Sequence, residues 1–483
     1  MTSQKQPTVI VALHDGFYGC GTGAGYANHA LLEILTDLLP QQVRLLVLPA
    51  HLAPSSSEYD PAWHTRAQEL LEQVNAVVHP LDNGTGGRVR FGGLGCFRHL
   101  VRHAADIMIR RLLPDTDPVV ILALDAPFLG LAPLLPTDVV PNLVLVPRST
   151  ARIHAPTDRE RIAWESYGML TAAEHGGRIA AISNFMRAHL GTDYRVPDDA
   201  LIELPDGLSP PDWQLTSHDD EILPTSERRG FLLAMGRAQP YKGFDDLLDA
   251  LALLRDQAVT VPHLVLAAVT DDPEPSDYQQ HLAKRITHLG LEVTLLTCFH
   301  PNIRRLLAHP ALRGVVVPSR AEPFGRIPIE SYAAGAGPVI ATTAGGLAEQ
   351  VIDGRTGFVA TPEDPASLAA ALRHALSMTS PRRDRMREEA RQFAGSRYDH
   401  PCAVRAFLGR VAPWLEQRTS RVNDGRAGQS SAPPTRPSTR THTGITATCW
   451  LRTPPRSAGR CARPRGPRCP TRRARRAAHA CRH

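Results

Sequence analysis

Short apolar runs alternate with stretches of helical spacing along most of this 483-residue chain. PTVIVALHD carries an apolar run from Val9 to Leu13, then a glycine-rich loop, GFYGCGTGAGY, then the helical pattern ANHALLEILTDLL. VRLLVLP, VVILAL, NLVLVP and RIAAIS read as further strands, with helices at AWHTRAQELLEQV and TDRERIAWESYGMLTAAEHGG. The polar, proline-rich segment LPDGLSPPDWQLTSHDDEILPTSERR breaks the rhythm, which restarts at GFLLAMG and runs to PASLAAALRHALS. Strand runs this continuously apolar belong to parallel sheets covered on both faces, and strand–helix alternation gives that arrangement. The chain is also too long for one core. We therefore expect an α/β protein with two domains: residues 1–205, a linker at 206–229, and residues 230–395. A helix at 396–418 would pack back toward the first domain, and a tail fills 419–483.

The formal charge of +6 comes from that tail. Of 54 basic and 48 acidic side chains, 15 arginines and one aspartate lie beyond residue 418, leaving 39 and 47 in the body. A mildly acidic body gives no electrostatic footprint for nucleic acid, and none is expected as a partner. The tail is rich in Arg, Pro, Ser, Thr and Gly without apolar periodicity, the composition of a disordered appendage. VVILALDAPFLGLAPLL, interrupted by Asp125, Pro127 and Pro133, reads as a buried strand and loop, so membrane association is not expected. No basic cluster leading an apolar core opens the chain, and its body cysteines lack paired metal-type spacing. A cytoplasmic location, reduced thiols and no metal site are the expectations. Oligomeric state stays open.

Two strand–loop–helix stretches carry chemistry. In SRAEPFGRIPIESYAAGAGPV, Glu322 follows the end of the strand GVVVPS, and Glu330 lies one turn into a helix. The C-terminal edge of an open α/β sheet is where ligands bind. Free amides from Phe324 through Gly325 and Arg326 to Ile327 would suit a phosphate there. The two carboxylates could accept hydrogen bonds from sugar and ribose hydroxyls. The alternative is a solvated Glu322 and a Glu330 that only complements the helix dipole. In GFLLAMGRAQPYKGFDDLLDAL, Arg237 and Lys242 occupy the loop, and Lys242 is one of only three lysines. Two cations at a strand end can neutralise a diphosphate and ease its departure. The GCGTGA sequence of the first loop formally matches a dinucleotide fingerprint. No acidic residue ends the second strand, however, so NAD is set aside. Gly21 and Gly23 could still let the backbone approach a ligand closely.

Together these stretches resemble the GT-B glycosyltransferases, specifically the retaining group called family 4. EPFGRIPIE supplies the family's pair of glutamates, GRAQPYKG its cationic loop, and AAGAGPV with GGLAEQV its next strand and loop. The likeness is strongest over residues 230–376. It implies two Rossmann-like domains facing a cleft, with a nucleotide-diphosphate sugar as co-substrate and no cofactor or required metal. Arg237, Lys242 and Glu322 would be the catalytic set. Phe324, Gly325, Arg326, Ile327 and Glu330 would bind the donor, with Gly21 and Gly23 beside them. The acceptor, a small polar molecule such as an aminocyclitol or other natural-product intermediate, would lie against the first domain.

Family members often carry a histidine after the fifth strand, where this chain reads NLVLVPRST with Arg148 nearest and His154 further on. His14, Asp15 and Arg148 are acceptor-side candidates whose ordinary reading is solvated loop residues. The rival functions are a sugar-nucleotide epimerase on the same fold and a non-enzymatic sugar-nucleotide-binding protein.

Overall fold

The apolar runs become the central strands of two fully parallel sheets in a computed structural model that describes residues 5–217, 230–272, 274–300 and 302–415. The expected tail at 419–483 and the linker portion 218–229 lie outside the described residues. The first sheet holds β1 (Gln6–Leu13), β2 (Arg44–Pro49), β3 (Val77–Val78), β4 (Thr116–Leu124), β5 (Leu143–Val146), β6 (Arg178–Ala181) and β7 (Leu201–Glu203). Their order across the sheet is β3-β2-β1-β4-β5-β6-β7. The second holds β8 (Phe231–Arg237), β9 (His263–Thr270), β10 (Val293–Cys298), β11 (Leu312–Val317), β12 (Val339–Thr342) and β13 (Gly357–Ala360). Its order is β10-β9-β8-β11-β12-β13. Each domain thus reverses strand order between its first and fourth strands, and the crevice at such a point is where this architecture binds ligands.

Burial explains the runs. β1 is covered from Pro7 to Leu13, with Val9 paired to Leu45 on one side and Val120 on the other. Each fully buried aliphatic side chain of this kind contributes about 1.5–3 kcal/mol. The helix Gly23–Leu38 starts at Thr22, whose hydroxyl caps the amide of Gly25. The helix Phe244–Asp256 follows Gly243, which has φ 68° and whose added Cβ would lie 2.0 Å from the Pro318 carbonyl oxygen. Only glycine fits that approach of β8's loop to β11's loop.

Two local expectations change. The alternation calls for a helix at PNIRRLLAH, between the strands EVTLLTC and GVVVPS, but the structure has a single turn at Asn302–Arg305 followed by a 3-10 turn at Leu306–Ala308. The helix Gly93–Ile107 was not expected, because Gly92, Gly93 and Gly95 crowd its start and it has no capping side chain.

The chain crosses between domains more than once. Leu208 and Tyr398–His400 exchange backbone hydrogen bonds, and the helix His400–Val411 packs on the helix Gly23–Leu38. The Ser183 hydroxyl donates to the Pro323 carbonyl at 2.8 Å. The amides of Asn184 and Phe185 donate to the Glu349 carboxylate, so an acid of the second domain caps a helix of the first. These contacts fix the two C-terminal sheet edges opposite each other.

Candidate functional site

The loops after β8 and β11 flank the second domain's switch point, and they bring their charged groups together. Lys242, in the 3-10 turn Pro240–Lys242, places Nζ 2.5 Å from Glu322 Oε2, with both side chains largely buried. The Ser319 hydroxyl stands 3.5 Å from the same oxygen. The Glu322 carbonyl accepts from the Gly346 amide at 2.9 Å, so the glycine-rich loop after β12 holds the acidic loop in place. Arg237 is exposed and donates to the Tyr241 hydroxyl at 2.7 Å. The neighbouring Arg320 is anchored elsewhere, in a two-point pair with Asp246.

Gly325, at φ 85°, turns the chain into the helix Arg326–Ala333. An added Cβ there would sit 2.6 Å from Leu347 and 2.8 Å from Glu322. That helix has no side-chain cap. Its first-turn amides therefore have no partner within the helix and suit an anion. Phe324 is buried, while Gly325 and Ile327 are half-buried.

Glu330 is also buried, and both its oxygens are engaged. Arg326 Nε donates to one at 2.8 Å and Arg304 Nε to the other at 3.0 Å. Arg304 and Arg326 also share Asp212, which they hold below the usual carboxylate range against the burial that would raise it. Sequence reasoning missed Arg304 and Asp212. Asp212 lies in the polar, proline-rich linker and Arg304 in the short helical segment after β10, neither of which carries a sequence pattern that marks a site. Arg304 also lies over the Tyr26 ring of the first domain, 5.6 Å from its centroid.

The three acceptor-side candidates are not solvated. His14, Asp15 and Arg148 are 7%, 4% and 5% exposed. His14 Nε2 lies 2.9 Å from the Arg90 carbonyl, and burial lowers its pKa to about 4. Asp15 takes Arg90 Nη1 at 3.2 Å, the Gly16 amide and the Thr22 hydroxyl. Arg148 donates to Asn28 Oδ1 at 2.6 Å, pairs with Asp206, and stands 3.8 Å from Asp125. Burial pushes the Asp125 carboxyl up to about 6 despite that arginine. Arg148 is therefore an internal strut between the ends of β4 and β5 and the domain boundary.

His154 is the first-domain residue that meets the cationic loop. Its ring stacks on Tyr241 with centroids 4.4 Å apart. Burial, with Lys242 and Arg237 close by, lowers its pKa to about 3, so it is a neutral donor or acceptor. Of the two glycines, Gly21 lies against Arg90 and Asp271 and lines a cavity with Arg237, whereas Gly23 is exposed with open space around it. Among the described residues no group of His, Cys, Asp or Glu could hold a metal ion, and no helix is long and apolar enough to cross a membrane.

Comparison with known proteins finds likeness in the second domain by sequence and in the whole fold by structure. Residues 217–393 match the family model described as glycosyl transferases group 1. The D-inositol 3-phosphate glycosyltransferase of Streptomyces scabiei is 36% identical over 145 residues, 29% of this chain and 32% of that protein. The glycogen synthase of Mycobacterium tuberculosis is 34% identical over 168 residues, 35% of this chain and 39% of its own length. The matched region spans about a third of these curated relatives. The crystal structure of Anabaena Alr3699/HepE in complex with UDP and glucose superposes with a TM-score of 0.60 at 22% identity. It covers 84% of this chain and 100% of that one. The sucrose-phosphate synthase of Thermosynechococcus elongatus gives 0.62 at 18% identity, covering 87% and 100%. Likenesses at these identities concern the fold.

Proposed function

From the GT-B fold and the match of residues 217–393 to the glycosyl transferases group 1 model we propose that this chain is a retaining glycosyltransferase using a nucleotide-diphosphate sugar. The single observation that carries the reading is the Lys242–Glu322 contact at the β8/β11 switch point, beside the uncapped helix Arg326–Ala333. A cation, an acid and free amides converge there, the set that a sugar diphosphate requires.

In this reading Lys242 and Arg237 neutralise the diphosphate with the amides of Arg326 and Ile327. Glu322 and the amides of Phe324 and Gly325 hold the sugar hydroxyls. Glu330 accepts from the ribose diol through lone pairs that Arg304 and Arg326 leave free, and the two arginines fix its orientation. His154, stacked on Tyr241, faces the transferred sugar as a neutral hydrogen-bonding group. The bond between the anomeric carbon and the leaving phosphate oxygen breaks. The acceptor hydroxyl oxygen bonds to that carbon on the same face, and its proton passes to the departing phosphate. Lys242 and Arg237 lower the barrier by stabilising the charge that develops there. Geometry across the cleft supplies the rest.

The acceptor we propose is a small cyclitol or aminocyclitol hydroxyl, in keeping with relatives that glycosylate D-inositol 3-phosphate. The reaction would run in the cytoplasm without a metal. Incubation with a panel of nucleotide sugars, with and without cyclitol acceptors, tests the proposal. Nucleotide release that depends on acceptor and is lost in Glu322→Gln and Lys242→Met is the expected result. Donor isomerisation without acceptor would instead indicate an epimerase, and unchanged turnover in both variants would remove the site.

A further inference from the structure

A cavity of about 170 Å³ opens beside the cationic loop, lined by Gly21, Arg237, Gln239, Val269, Asp271 and Phe299. It lies at the C-terminal edge of β8 and β9, next to the arginine given to the diphosphate. Val269 and Phe299 form an apolar wall, and Asp271 is its acidic group. Asp271 is half-buried, and among the described residues no hydrogen bond or ion pair to its carboxylate is formed. The nearest cation of the first domain, Arg90, is already committed. Its Nη1 goes to Asp15 and its Nη2 to the Glu58 carbonyl at 2.6 Å. Gly21 keeps this arrangement open, since an added Cβ would stand 2.7 Å from Asp271 Oδ2 and 2.3 Å from Arg90 Nη1.

An unpaired, partly buried carboxylate in an apolar-walled cavity calls for a ligand with donors, because desolvation without compensation is costly. The bases differ in what they offer. Guanine presents two adjacent donors, N1–H and the N2 amine, which match both oxygens of one carboxylate. Uracil presents a single N3–H between two carbonyls, which a carboxylate repels. Adenine presents its amine beside the N1 acceptor, again with one repulsive contact. Resting on the transferase reading above, we propose that Asp271 reads the base and makes this chain selective for guanosine-diphosphate sugars.

Isothermal titration of the full chain with GDP, IDP, UDP, ADP and XDP tests this. The expected order is GDP tightest, IDP weaker for lack of the N2 amine, and UDP and ADP weaker than GDP by about tenfold or more. Asp271→Asn replaces one acceptor oxygen by a donor amide and should move the preference from GDP to XDP, a gain that also shows the variant is folded. UDP or ADP binding as tightly as GDP overturns the base assignment while leaving the donor site standing. So does an Asp271→Asn variant that weakens every nucleotide equally, which would mark a ribose or phosphate contact. Failure of all five, and of CDP and dTDP beside them, to bind would overturn the transferase reading itself.

Discussion

The Lys242–Glu322 pair makes opposite demands on folding and on catalysis, and a double-mutant cycle separates them. Nζ and Oε2 are 2.5 Å apart, and the two side chains are only 14% and 12% exposed. At an effective dielectric of about 20, unit charges roughly 3 Å apart attract by about 5 kcal/mol, much of which desolvation cancels. Lys242→Met leaves a poorly hydrated carboxylate without its cation and should cost about 3 kcal/mol of stability. Glu322→Gln keeps a carbonyl acceptor for the ammonium and should cost about 1 kcal/mol. The double variant leaves no buried charge, so it should be more stable than the sum of the singles predicts, with a coupling of about 2 kcal/mol. Urea unfolding midpoints at constant m-value give that coupling. Turnover should behave differently. Each single variant should lose about 10²–10³ in kcat, as when one donor to a developing charge is removed, and the double variant should recover none of it. In the proposed reading the two groups hold different parts of the donor, so mutual relief in the empty protein would not carry into the reaction. A coupling below about 0.5 kcal/mol, or restored turnover in the double variant, would refute this reasoning.

Three further outcomes follow from the same geometry. Arg148→Met strands Asp206 and Asp125 in the interior and should lower stability by about 3–5 kcal/mol in urea unfolding; Arg148→Lys should recover only part, because one ammonium cannot reproduce the planar fork to Asn28 and Asp206. Glu349→Ala leaves the Ser183 cap of the helix Asn184–Asp193 but strips the amides of Asn184 and Phe185 of their acceptor across the domain boundary, and should cost about 1 kcal/mol by thermal melting. His400 is 1% exposed, and burial lowers its pKa from 6.5 to about 4. Its neutral form therefore contributes stability that is fully present above pH 6.5 and is lost as pH falls toward 4, up to about 3 kcal/mol. Unfolding curves of His400→Gln should show a smaller loss over that window, and an unchanged loss would exclude His400 as a source of acid sensitivity.

Which residues could be found from the sequence follows from where each spends its charge. Glu322 and Lys242 stood out because strand alternation placed them at the edge where ligands bind, and the sheets put that edge at the β8/β11 reversal. That both sheets are parallel follows from the same alternation, since parallel neighbours need crossover helices; their strand order does not, and comes from the structure. His14, Asp15 and Arg148 also sat at strand ends and looked equally available. The partners of two of them lie far along the chain, 76 residues away for His14 with Arg90 and 120 for Arg148 with Asn28, and Arg90 is also the cation of Asp15. No local pattern reveals that such a charge is already satisfied. Arg304 and Asp212, 92 residues apart, were missed for the same reason. The helix Gly93–Ile107 has its apolar stripe at Phe97, Leu100, Val101 and Ala104, but tertiary packing outweighs its glycine-rich start, and packing is absent from propensity. Arg148 and His154 show the consequence most sharply. Both follow β5 in the segment where the family resemblance leads one to expect a histidine, and sequence could not separate them. The one whose guanidinium pins Asn28 and Asp206 belongs to the scaffold. The one whose ring crosses the cleft to stack on Tyr241 has its Nδ1 buried without a partner among the described residues, so it is not committed to the scaffold in the way Arg148 is.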